Sequence, residues 1–218
     1  MIELIVKAAL SYLLGSIVGS LLIGQFRGVD IRTMGSGNAG ATNMLRTQGK
    51  VAALAVFLID LGKGWVATGL IAPLTLPTAI VPETGALHHW AATSCGLAVT
   101  LGHVYPVWYG FRGGKGVATF LGAVLGLSPM LVLVMALVWL AVVVLFGFVG
   151  LASMVSAVAV AVAIATGSWN PRTPLLVFGI LAALLIIFTH RANIARMRAG
   201  NESRARRLRL FGLRRGQG

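Results

Sequence analysis

Apolar residues in this chain come in long blocks. They fill stretches near residues 4–24, 51–72, 92–109, 130–149, 153–167 and 174–189. Each block approaches the roughly 17–25 residues that an α-helix needs to cross a bilayer. A shorter apolar run, 117–127, ends at Ser128-Pro129. It is a turn or two short of a full span, so it predicts a short or tilted crossing, or a re-entrant piece. Polar and glycine-rich residues collect in the connections.

Composition places the 218 residues in the membrane class: 57% are hydrophobic and only 11% charged, an excess no water-soluble core requires. The first block lacks a basic leader and a small-residue cleavage site, and further spans follow it, so it predicts a permanent helix. Cys95 is the single cysteine. It lies in an apolar run and reads as a small packed residue, with no disulfide framework around it.

A net charge of +13 would suggest nucleic-acid binding in a soluble protein, but its distribution argues against that. Arg27, Arg32, Arg46 and Lys50 fall in one connection, Arg112 and Lys115 in another, and nine arginines lie between Arg191 and Arg215. The connection 73–90 has no lysine or arginine, and only Arg172 falls on the side that alternation makes opposite. The bias predicts basic segments in the cytoplasm, with the amino terminus outside and the carboxyl terminus cytoplasmic. That needs an odd number of crossings. The expectation is an all-α integral membrane protein of seven transmembrane helices, 117–127 being the short one, with a single membrane domain over 1–195 and a basic tail over 196–218. The tail arginines read as anchors on anionic headgroups, worth about 1 kcal/mol each near the surface. Gly15-x-x-x-Gly19 and Gly122-x-x-x-Gly126 read as close helix–helix approaches.

Two connections look chemical. In the first, Gly35, Gly37 and Gly40 free the backbone to turn its N–H groups toward one point. Ser36, Asn38, Thr42 and Asn43 add donors, and Arg46 adds charge. Such a nest suits a phosphate, although the alternative is an ordinary interhelical loop. In the second, Gly113, Gly114 and Gly116 flank Lys115 ahead of the run 117–127. This sets backbone donors and an ammonium at a helix amino terminus, where anions bind. Lys115 as a topological anchor and His103 as a packed histidine are the bland readings. Ser153 has no sequence neighbour able to activate it. His190 and Asn193, three apart, share a helix face and can offer an acceptor and a donor to whatever the loops hold. Asp60 and Lys63 can pair within the second block; each alone would cost about 2.5–3.5 kcal/mol at the membrane centre, so a strut is at least as good a reading as a catalytic role. The first loop is not a Walker loop, since no Gly-Lys-Ser/Thr follows it.

Taken in order, the motifs resemble the bacterial acyl-phosphate:glycerol-3-phosphate acyltransferases over nearly the whole chain. They are Gly-Ser-Ile at 15–17, Gly-Val-Asp-Ile-Arg at 28–32, Gly-Ser-Gly-Asn-x-Gly-Ala-Thr-Asn at 35–43 and Asp-x-x-Lys-Gly at 60–64. Gly-His-x-Tyr-Pro at 102–106, Phe-Arg-Gly-Gly-Lys-Gly-Val-Ala-Thr at 111–119 and His-Arg-x-Asn-Ile at 190–194 follow. The resemblance implies a seven-helix fold and transfer of an acyl chain from acyl phosphate to the first hydroxyl of glycerol 3-phosphate, without metal or cofactor.

It carries over Ser36, Gly37, Asn38, Thr42, Asn43 and Arg46, then His103, Gly113, Gly114, Lys115 and Gly116, then Ser153, His190, Asn193 and Glu202. The family's Val-Ser-Leu-x-Ser pattern has its first serine where Gly150 stands here, and the arginine that often precedes its glutamate is Asn201. Other implied features are membrane lipids as surroundings, a soluble enzyme that makes the acyl phosphate, no nucleic acid, and a monomer in the bacterial inner membrane. The competing class is a small membrane transporter of anions or phosphate esters, but the inverted repeat common in transporters is not found.

Overall fold

The computed structural model describes residues 1–75, 86–170 and 172–205. The middle of the 73–90 connection and the arginine-rich stretch from 206 onward lie outside these residues. Among the described residues every regular element is helical: α1 (Ile2–Gly15), α2 (Gly19–Phe26), α3 (Ala41–Gln48), α4 (Lys50–Val66), α5 (Ala86–Val104), α6 (Val117–Leu127), α7 (Pro129–Phe146), α8 (Val149–Thr166), α9 (Arg172–Thr189) and α10 (Arg191–Arg198). A π-helical turn, Ala67–Ile71, prolongs α4. Four helices among them are long and apolar enough to cross a membrane, and α1 with α2, bent by 43°, make a fifth candidate. α6 starts and stops where the sequence predicts. Ser128-Pro129 ends it and starts α7, with Pro129 at the first turn, where its missing N–H costs nothing.

α1 packs on α5, α4 on α6, α7 on α8, and α8 on α9, with α5 also touching α6 and α9. The main core lies between α5, α6, α8 and α9, where Phe120 and Phe178 meet at 5.5 Å between ring centroids. Leu133, Leu137 and Leu140 make an exposed stripe on α7, as expected of a helix facing hydrocarbon.

The two glycine pairs are close approaches. A Cβ on Gly15 would overlap the Val99 carbonyl of α5, and one on Gly122 would overlap the Leu61 carbonyl of α4.

The first apolar block departs from the predicted continuous helix. It breaks at Ser16-Ile17-Val18, where Val18 is extended, and a break inside hydrocarbon needs partners for the freed backbone groups. α4 supplies them. The Lys63 ammonium donates to the carbonyls of Gly15 and Ile17, both at 2.8 Å, and the Asp60 carboxylate accepts the Gly19 N–H at 3.1 Å. Asp60 and Lys63 also pair with each other at 3.1 Å. The i,i+3 pair visible in the sequence is therefore a strut, with each charge placed against the helix end of opposite polarity.

The connections 27–40, 105–116 and 147–148 and the segment 190–205 meet at one end of the bundle. Lys115 bonds Asn193, Ala205 N–H donates to Gly147 at 2.8 Å, and Arg32 reaches the Tyr109 carbonyl at 3.0 Å.

Candidate active site

The first glycine-rich loop is folded by Asn43. From the opening turn of α3 its carboxamide oxygen accepts the Ser36 N–H at 2.9 Å, while its amide donates to the carbonyls of Ile31 and Met34 at 3.1 and 2.9 Å. Both amide donors and one lone pair of the oxygen thus go to the loop itself. Asn43 is an organiser that keeps Ser36, Asn38 and Gly40 at the mouth of α3. Gly35 has a φ of +55° and faces the Asn43 oxygen so closely that a Cβ would overlap it, which explains glycine there.

The second loop turns back over the end of α5. The Gly113 and Gly114 N–H groups donate to the carbonyls of Val104 and His103, each at 3.1 Å, satisfying the helix end. A Cβ at Gly114 would overlap the His103 ring. Gly116, at φ +85°, then opens α6 and leaves Lys115 projecting from the helix entrance. The Thr189 hydroxyl holds the Lys115 carbonyl at 3.1 Å.

Between these loops and the helices lies a cavity of about 520 Å³. Its polar lining comes from Ser36, Asn38, Gly40, Thr42, Asn43 and Arg46 of the first loop and α3, from Lys115 and Gly116 of the second, and from Asp60, His103, Ser153, His190, Asn193 and Glu202. Its apolar lining includes Phe57, Leu121, Val132, Met135, Ala136 and Trp139 from α4, α6 and α7. The sequence-predicted residues thus come together from five separate parts of the chain. Gly37, Gly113 and Gly114 do not line the cavity; they shape the loops behind it.

A chain of polar contacts crosses the site. The Lys115 ammonium bonds the Asn193 carboxamide oxygen, the Asn193 amide donates to Glu202 at 2.6 Å, and Arg196 Nε donates to the other Glu202 oxygen at 2.5 Å. Burial, aided by the nearby Arg196 and Arg46 charges against the opposing Glu202, brings the Lys115 pKa down to about 8. His190 Nδ1 lies 2.8 Å from the Ile186 carbonyl. A carbonyl only accepts, so Nδ1 carries the proton and Nε2 is left as an acceptor. Burial first, then the Lys115 charge, pull His190 down to about 4, so the ring is neutral near pH 7.

His103 is committed differently. Its Nδ1 sits 2.9 Å from Lys63 and 3.3 Å from Asp60, and its other nitrogen faces the Gly114 backbone. It joins the strut to the second loop. The Ser153 hydroxyl donates back to the Val149 carbonyl at 3.0 Å and accepts from Trp139 at 3.4 Å; among the described residues no base bonds it.

Arg196 and the apolar lining of the cavity are not legible as site residues in the sequence. Arg196, grouped by sequence with the anchoring arginines, lines the cavity. It stands three residues after Asn193, and that helical spacing was the available signal.

The chain matches the family model described as glycerol-3-phosphate acyltransferase over residues 5–200. A glycerol-3-phosphate acyltransferase of Aquifex aeolicus (strain VF5) is 39% identical over 194 residues, which are 89% of this chain and 95% of that protein. One of Laribacter hongkongensis (strain HLHK9) is 43% identical over 205 residues, covering 92% and 95%. Among solved structures, the glycerol 3-phosphate form of PlsY (YgiH), an integral membrane glycerol 3-phosphate acyltransferase, superposes with a TM-score of 0.81 at 36% identity, covering 96% of each chain. The lysophosphatidic acid form of the same enzyme gives 0.78 at 36% identity, covering 92% of this chain and 94% of that one.

Proposed function

The chain belongs to the glycerol-3-phosphate acyltransferase family and is a membrane acyltransferase, and from that premise we propose that its acyl donor is acyl phosphate. It moves the acyl group to the 1-hydroxyl of glycerol 3-phosphate, giving 1-acyl-glycerol 3-phosphate and inorganic phosphate at the start of phospholipid synthesis. One observation carries this reading: a single cavity is lined both by residues of two glycine-rich, cationic loops and by apolar side chains of α4, α6 and α7. Two phosphates and one hydrocarbon chain are what such a cavity accommodates.

An acyl phosphate already carries a good leaving group, so the hydroxyl attacks directly and no enzyme nucleophile is needed. Ser153, whose proton is held by its own helix, stays a bystander. Lys115, Arg46 and the loop amides hold the phosphates and offset the charge that develops during transfer. The bond between the glycerol oxygen and the acyl carbon forms, the bond from that carbon to the phosphate oxygen breaks, and the hydroxyl proton passes to the departing phosphate. The departing phosphate suits that task better than His190, whose pKa burial brings down to about 4. His190 Nε2 and Asn193 orient the hydroxyl.

The bundle spans the membrane seven times, counting α1 with α2 as one crossing and α6 as a short one. The amino terminus lies outside and the site faces the bacterial cytoplasm. Support comes from the basic connections that hold Arg27, Arg46, Arg112, Lys115, Arg191 and Arg196, of which Arg46, Lys115 and Arg196 line the cavity. The enzyme works as a monomer in the inner membrane, with one membrane domain over 1–195, a basic tail beyond it, and a soluble enzyme supplying acyl phosphate.

The test is purified protein in detergent given only the two substrates. Lysophosphatidate and phosphate should form in equal amounts, and Lys115→Ala should lower the rate by about 100-fold or more. Transport of a phosphate ester in vesicles without acylation would replace this reading with the transporter one.

A further inference from the structure

The Gly-Val-Asp-Ile-Arg motif at 28–32 contributes nothing to the cavity wall, yet its side chains are tightly engaged. Asp30 caps the 3-10 turn Ile31–Thr33 by accepting the Arg32 N–H at 2.9 Å. Its carboxylate also takes the Arg32 guanidinium side-on, with Nε at 3.0 and 3.1 Å from its two oxygens and Nη2 at 2.8 Å. This fixes the plane of the guanidinium and leaves Nη1 pointing away. Nη1 donates to the Tyr109 carbonyl at 3.0 Å and the Arg112 carbonyl at 3.3 Å.

Those two carbonyls bracket Gly110 and Phe111, whose φ values are +64° and +58°. Phe111 is the one non-glycine residue in the left-handed region among the described residues, a strained conformation that persists only where the surroundings impose it. Arg32 grips both sides of that turn. Immediately after it come Gly113 and Gly114, folded onto the end of α5, and then Lys115. A lysine in place of Arg32 lacks the planar fork that matches a carboxylate on one edge and reaches two carbonyls with the other.

We propose that Asp30 and Arg32 form a strap between the two phosphate-holding loops, a positioning pair that fixes Lys115 relative to Ser36 and Arg46 without touching substrate. This deepens the function proposed above and rests on it. If the loops hold the two reacting partners, the strap sets the distance between hydroxyl and acyl carbon. Loosening it should cost turnover more than affinity, because each loop keeps its own ligands while the pair loses its mutual placement. The Arg32 guanidinium also holds the Asp30 carboxyl below the usual carboxylate range, so the strap remains charged throughout the neutral range.

The experiment compares wild type, Arg32→Ala, Arg32→Lys, Asp30→Asn and the Asp30→Asn/Arg32→Ala double variant, all as full-length protein in detergent. Expected are a fall in kcat on the order of 100-fold for Arg32→Ala, and a smaller fall in the same direction for Asp30→Asn and Arg32→Lys. KM should stay within about threefold for either substrate, and the double variant should be no worse than Arg32→Ala. A tenfold rise in KM with kcat unchanged would make Arg32 a phosphate ligand and overturn the strap, as would additive losses in the double variant. Hydrogen exchange gives a readout independent of activity. The amides of residues 109–114 should exchange at least about tenfold faster in Arg32→Ala and Asp30→Asn, with α8 and α9 unaffected; unchanged exchange there overturns the strap. A wild-type protein that makes no lysophosphatidate defeats the proposed function instead, while the exchange result still reports on the strap.

Discussion

Gly150, on the first turn of α8, lies directly against the Asn193 side chain of α10: a Cβ added at Gly150 would stand 2.9 Å from Asn193 Nδ2 and 3.1 Å from its Cβ and Cγ. Asn193 in turn connects Lys115 to Glu202, so the missing side chain at 150 gives room to the central residue of the polar chain.

Gly150→Ala should therefore push Asn193 by a few tenths of an ångström and weaken its bond to Lys115. Turnover should fall on the order of tenfold, while the unfolding temperature stays close to wild type. Steady-state kinetics on the purified variant checks this, and wild-type kcat would mean that Asn193 tolerates displacement.

The alkaline limb of activity should belong to Lys115. Its pKa lies below the ordinary lysine value, at about 8, so the ammonium is present below that pH and is lost as pH rises through it. In the free enzyme, kcat/KM should halve near pH 8. In Lys115→Arg, whose guanidinium stays charged, the residual activity should show no such limb. A limb that persists unchanged in that variant would assign it elsewhere.

Removing Lys63 should be among the most damaging changes outside the cavity. Lys63→Met strips two carbonyls of their donor and leaves Asp60 as a buried charge without its main partner, at a cost of about 3–5 kcal/mol. Adding Asp60→Asn should recover part of that loss by removing the stranded charge. Denaturant unfolding in detergent measures both, and a double variant less stable than Lys63→Met would contradict the strut.

Gly122→Val tests the contact of α6 with α4. Its Cβ would enter the space of the Leu61 carbonyl, which belongs to the backbone and cannot swing aside. Overpacking here should cost about 1–3 kcal/mol or more, seen as a lower unfolding temperature. Because α6 carries Lys115 at its entrance, activity should fall as well. An unaltered unfolding temperature would show that the helices can separate freely.

The sequence by itself determined the membrane class, the places of α4 and of α6 through α9, the shortness of α6 and the identity of the two glycine-rich loops; α5 runs Ala86–Val104, starting before the apolar block 92–109 and ending within it, where Tyr105-Pro106 stops the helix. These depend on block hydrophobicity, on Ser128-Pro129 as a stop, and on local clusters of glycine with cations, all of which act over a few neighbouring residues. It also placed Asp60 and Lys63 on one helix face, because the 3.6-residue period is local geometry.

What those charges face was decided by tertiary structure alone. Gly15-Ser16 and Gly19-Ser20 flank residue 17 and permit a break there, but the break is tolerable only because α4, more than forty residues on, brings an ammonium and a carboxylate to its two ends. Asn43 shows the same limit. Its residue type suits a phosphate donor, and only the fold reveals that its hydrogen bonds are spent inside the loop. Arg196 looks like one more tail cation in sequence, and convergence of distant segments brings it to the cavity beside Arg46, which its glycine-rich surroundings had already marked. Periodicity and composition report on local propensity; the partners of a buried polar group depend on which distant backbone the fold sets beside it.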